Sequence, residues 1–63
     1  MRASGAVVPG QLRLWRHGTL AFLILAVYEA VGGSITLMWT LGRSDLELVA
    51  TEWFLKSTKE LVP

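Results

Sequence analysis

Two side chains in this sequence are of a type that could do chemistry alone, Glu29 and His17. Glu29 is a single carboxylate near the middle of a long apolar run, residues 19–41. An ionisable group at that depth in an apolar segment usually faces a partner, a cofactor or water. Its chemical uses would be a proton relay, a ligand to a pigment metal, or a hydrogen bond to a quinone. A relay needs a second acid or base that titrates near neutral pH, and the run, whose other ionisable side chain is Tyr28, holds none. A protonated or paired carboxyl that fixes register with a neighbouring helix is therefore the stronger reading. His17 is the one histidine, at the edge of the run beside Arg16. There a hydrated imidazole is expected, and pigment ligation is the weaker alternative.

The remaining chemistry is excluded by composition. The chain has no cysteine, so neither a thiolate metal site nor a disulfide framework is available. One histidine cannot build a metal site. No nucleophile–base pair, phosphate-cradling glycine loop or metal-ligand spacing is present. A length of 63 residues is short for an enzyme domain with its own pocket. A net charge of +1 is too small to argue for nucleic acid. The chain reads as a non-enzyme with no cofactor of its own, able at most to contact a pigment, quinone or lipid.

Those residues need elements to position them. Residues 19–41, as a helix rising about 1.5 Å per residue, would be about 34 Å long and would cross a bilayer. The sequence thus predicts an all-α membrane chain of four segments. Residues 1–10 form an irregular tail with Pro9-Gly10 as turn punctuation, and residues 11–18 an interfacial lead-in. Residues 19–41 form the transmembrane helix. Residues 44–63 form an amphipathic helix opened by the capping-box spacing of Ser44 and Glu47 and supported by the Glu52–Lys56 pair. Arg13, Trp15, Arg16, Trp39, Arg43 and Trp53 read as interfacial anchors, since indole and guanidinium groups favour the headgroup layer.

The expected span has two unlike faces. Ala26, Glu29, Ala30, Gly33, Ser34 and Thr36 fall on one stripe and predict a helix-packing face, with Ala26, Ala30 and Ser34 in small-xxx-small spacing. Insertion energetics agree: Leu, Ile, Val and Phe contribute about −3 to −6 kcal/mol, against about +2.5 to +3.5 for a central charge. Lys and Arg tie across the span, and the nearness of Arg13 and Arg16 to it places the N-terminus on the cytoplasmic, matrix or stromal side.

The layout is similar to that of small single-span subunits of photosynthetic reaction-centre–antenna and respiratory assemblies. Leu12-Arg13-Leu14-Trp15 before the run and Gly32-Gly33 within it are similar in kind to the small polypeptide that interrupts the antenna ring in some purple bacteria. The resemblance implies a non-catalytic accessory subunit that packs against the transmembrane helices of a large energy-converting complex, in a bacterial inner, photosynthetic or organellar membrane. The alternative is a self-associating regulatory membrane micropeptide that modulates a transporter or enzyme.

Overall fold

A computed structural model describes residues 7–61. Its elements, in chain order, are β1 (Leu12–Trp15), β2 (Ala21–Ala30), β3 (Gly33–Thr40), β4 (Leu46–Ala50), α1 (Thr51–Ser57) and β5 (Thr58–Glu60). The five strands make one sheet in the order β4-β3-β2-β1-β5, with every neighbouring pair antiparallel. Strands β1 to β4 form a meander. Helix α1 then carries the chain from the β4 edge across one face of the sheet, and β5 pairs with β1 at the opposite edge.

The apolar run of residues 19–41 is therefore a strand hairpin and not a transmembrane helix. Its centre is broken by a tight turn: Ala30 pairs with Gly33, leaving Val31 and Gly32 as the two connecting residues. Gly32 has φ +94°. That is the second central position of a type II turn, where a side chain would strain the backbone. Pro9-Gly10 makes a turn of the same kind. Gln11 N–H donates to the Val8 carbonyl at 3.2 Å, and Gly10 takes φ +88°. The first six residues of the expected tail lie outside the described residues.

Strand β2 looked like a membrane helix because it is apolar on both faces. Phe22, Ile24 and Val27 point to the helix-covered side, while Leu23, Leu25 and Tyr28 point away. Side chains of a strand alternate, so apolar residues on both faces merge into one continuous run. A bulge adds to the disguise. Register shifts between Ile24 and Ala26, so Leu25 and Ala26 together oppose Leu37 and break the period of two.

The amphipathic helix expected over residues 44–63 is likewise corrected. Residues 46–50 are strand β4, α1 covers Thr51–Ser57 alone, and the chain returns to strand at Thr58. Glu47 lies inside β4, so Ser44 and Glu47 form no capping box. The Glu52–Lys56 pair does form, at 3.7 Å on the exposed side of α1. Among the described residues, no helix is long and apolar enough to cross a membrane. The single-pass assignment, the integral-membrane location and the sidedness all fall with the span that carried them.

The core lies between α1 and the sheet. Phe54 of α1 and Ile24 of β2 are each 1% exposed, and Val7, Phe22 and Met38 complete the cluster. Phe22 and Phe54 meet edge to face with ring centroids 5.5 Å apart.

The two faces give a direct test. Ile24→Ala should cost about 2–4 kcal/mol in chemical denaturation, because it opens a cavity in the core between α1 and the sheet. Leu48→Ala, on the other face and 63% exposed, should cost well under about 1 kcal/mol. A membrane helix would show no such contrast.

Candidate functional site

The covered face of the sheet is held by one buried cation. Arg13, 4% exposed, lies on β1 opposite Phe22 of β2 and Glu60 of β5. Its Nε donates to Thr58 Oγ1 at 2.7 Å and its Nη2 to the Thr58 carbonyl at 3.1 Å. Arg16 Nε donates to the same carbonyl at 3.1 Å. The Thr58 hydroxyl in turn donates to the Phe54 carbonyl at 2.6 Å, tying the end of α1 into the cluster. The guanidinium carbon stands 5.9 Å from the centroid of the Phe54 ring. Burial lowers the Arg13 pKa from its ordinary value, with the Glu60 charge opposing and the Arg16 charge adding to the shift. An arginine stays protonated throughout the working pH range, so this cluster is a fixed structural cation and no acid–base pair.

The opposite face is organised quite differently. Register aligns Leu12, Leu23, Trp39 and Leu46 in one row across four strands. Leu37 lies between Ala26 and Leu48 in the next row, and Ile35 between Tyr28 and Ala50 in the one after. None of these residues is buried, and Tyr28, Leu46 and Leu48 are each more than half exposed. Of the charged residues described, only Lys59 belongs to this face, at the β5 edge beside Leu14. Four strands about 4.8 Å apart and about seven residues of strand at about 3.3 Å each outline roughly 440 Å². An outline of that size lies within the range of the largest apolar patch on a typical monomer, about 300–600 Å².

The residues singled out from the sequence are divided by this geometry. Ala26, Ala30 and Gly33 lie on the open face, whereas Glu29, Ser34 and Thr36 register on the covered one. Glu29 is exposed near the hairpin end and accepts a hydrogen bond from Ser34 Oγ at 2.8 Å. Thr36 is fully buried, its hydroxyl 2.7 Å from that of Thr51. His17 is exposed in the β1–β2 connection, its ring edge-on to Trp15 at 5.4 Å. Of the expected interfacial anchors, Arg13 is buried, and Trp15 sits on the covered side 5.9 Å from Trp53. Trp39 lies on the open face, and its Nε1 donates to the Arg43 carbonyl at 2.7 Å.

Concave features are minor. A cleft of about 220 Å³ lies between Trp15 and Trp53, with Phe22 and Met38 at its base and Arg43 and Glu47 at its mouth. Two further depressions of about 320 and 380 Å³ adjoin the Gly32-Gly33 turn and the Gly10–Leu12 segment. All three fall below or near the lower limit for small-molecule sites, about 300 Å³. Among the described residues, no group of three His, Cys, Asp or Glu side chains could hold a metal ion. Comparison with family models, curated proteins and solved structures found no match for this chain.

Sequence reasoning missed Thr58 and the open sheet face. Thr58 gives no local signal, because its partner is 45 positions away. The face had a signal in the two glycine turns, Gly32-Gly33 and Gly42, which cut the apolar run into strand-length pieces.

The Arg13 cluster predicts a distinctive pair of variants. Thr58→Val preserves shape but leaves a buried guanidinium N–H unpaired, and should lower stability by about 2–3 kcal/mol. Thr58→Ser keeps the hydroxyl and should lose about 1 kcal/mol or less. Urea midpoints at unchanged slope decide it, and equal losses for the two would show that the hydroxyl is immaterial.

Proposed function

We propose that this chain is a non-catalytic interaction module, an accessory component that docks on another protein surface through the open face of its sheet. One observation carries the reading: three adjacent rows of apolar side chains cross β2, β3 and β4, the first reaching β1, and of the charged residues described only Lys59, at the rim, belongs to that face. A seven-residue helix covers one side of the sheet, and no described residue covers the other. Sheets stabilise themselves by burying at least one face, and a second apolar face is completed by another layer.

The accessory role expected from the sequence is kept in this proposal, on a different physical basis. Its warrant is the exposed sheet surface, and the helix–helix seam is dropped with the span. Glu29 and His17 take no part, since both are exposed and neither lines the face. The pigment, quinone or lipid contact considered for them is likewise left out.

Leu48→Glu is the discriminating variant. Leu48 is 63% exposed on the edge strand β4, so a carboxylate there costs the isolated fold little while placing a charge in the docked surface. Tagged chain extracted gently from its native cells should migrate on a native gel well above its own 7.0 kDa. Leu48→Glu should release it to its own mass with an unchanged far-UV circular dichroism spectrum. Wild-type chain migrating at its own mass would overturn the proposal.

A further inference from the structure

We infer that the occupant of the open face is a second copy of this chain, packed sheet to sheet about a twofold axis. The inference rests on the interaction-module reading and names its partner. Four features of the face point to self-pairing.

The first is electrostatic. In a twofold interface each patch meets itself, so any charge near the axis faces its own copy. A surface evolved for a different protein is free to carry charges that its partner complements. This face carries none among its three central rows, and Lys59 lies at the outer edge. Glu29, Glu47, Glu60 and Arg13 all register on the covered side, and Glu52 and Lys56 sit on α1.

The second concerns the one indole in the patch. Trp39 lies in the first row, between Leu23 and Leu46. Its N–H is already committed to the Arg43 carbonyl, so covering the ring leaves no unpaired donor. Tyr28, the other residue of the face with a polar atom, stands near the hairpin end, where a hydroxyl can stay at the wet rim.

The third concerns edges. Copies of a β protein often meet edge to edge, but both edges here are blunted. Strand β5 has three residues, and β4 carries Glu47 and follows Asp45. Faces, not edges, are the adhesive surface.

The fourth is size. Two outlines of roughly 440 Å² in contact would bury roughly 900 Å² of surface in total, the size of a weak, reversible association below the standard range of about 1,200–2,000 Å². Aligned sheets pack about 10 Å apart at about 30°, a geometry that two twisted sheets reach without rearrangement.

Sedimentation velocity of the purified full chain across a concentration series, paired with binding of a hydrophobic dye, tests this. Wild type should sediment at twice the monomer mass at high concentration and dissociate on dilution. Leu48→Glu should remain monomeric over the same range, with at least a tenfold weaker association, and Lys56→Gln on the far side of the molecule should leave the mass unchanged. A wild-type monomer that binds the dye, with binding lost in Leu48→Glu, would overturn self-pairing while leaving the interaction-module reading intact. A monomer that binds no dye would overturn both, because the face would then be covered by the chain itself. Oligomers larger than two, indifferent to Leu48→Glu, would also overturn the twofold pairing.

Discussion

A buried guanidinium with one threonine as its main partner is the contact on which the rest of this molecule depends. Arg13 donates to both the hydroxyl and the carbonyl of Thr58, and the same hydroxyl donates to the last turn of α1. Three elements, β1, β5 and α1, therefore meet at one residue. Helix α1 is the lid over Phe22, Ile24 and Met38, and it is too short to stand alone in water. Its position is imposed from its two ends: β4 at the start and the Arg13–Thr58 clasp at the finish. Loosening the clasp frees the lid, and the core cluster beneath it is opened to water.

The same arrangement explains how the chain divides its apolar residues. With 52% hydrophobic residues, it has far more apolar surface than a seven-residue helix can cover. Much of the excess is collected on one sheet face in register, row by row, while Val8, Leu20, Val31, Leu41 and Leu61 are exposed in the loops and turns and Trp53 on α1. The charged residues are correspondingly confined to α1, the turns, the strand edges and the covered side. The contiguous rows of the face differ from the exposed hydrophobics of the loops, which occur singly, as on most proteins.

How much of this was legible in the sequence depends on the element. Pro9-Gly10 announced its turn, because proline and glycine each fix a backbone angle locally. The Glu52–Lys56 pair was legible, since both lie four apart within one real helix. Residues 19–41 misled for a physical reason. A strand pair apolar on both sides has the same composition as a membrane helix, and the bulge at Leu25 removes the alternation that would separate them. Gly32-Gly33 was the contrary sign, a pair better suited to a turn than to a helix interior. Arg13 was placed at a lipid headgroup because its true partner is 45 residues distant, and no local pattern reports such a contact. The capping-box spacing of Ser44 and Glu47 points to a helix start, and it is outweighed by the pairing of residues 46–50 with β3.

The placement of β5 beside β1 also orders events in time. The first strand of the meander receives its outer neighbour from residues 58–60, close to the end of the sequence. During synthesis the chain emerges with its most apolar stretch, β2 and β3, long before α1 and β5 exist to cover it. Hairpin contacts between β2 and β3 are local and quick, whereas the Arg13–Thr58 clasp joins residues 45 positions apart. Contact order therefore favours a nascent hairpin with two bare apolar faces ahead of the clasp. That is the stage at which chaperones, or neighbouring nascent chains of the same kind, have their widest access to it.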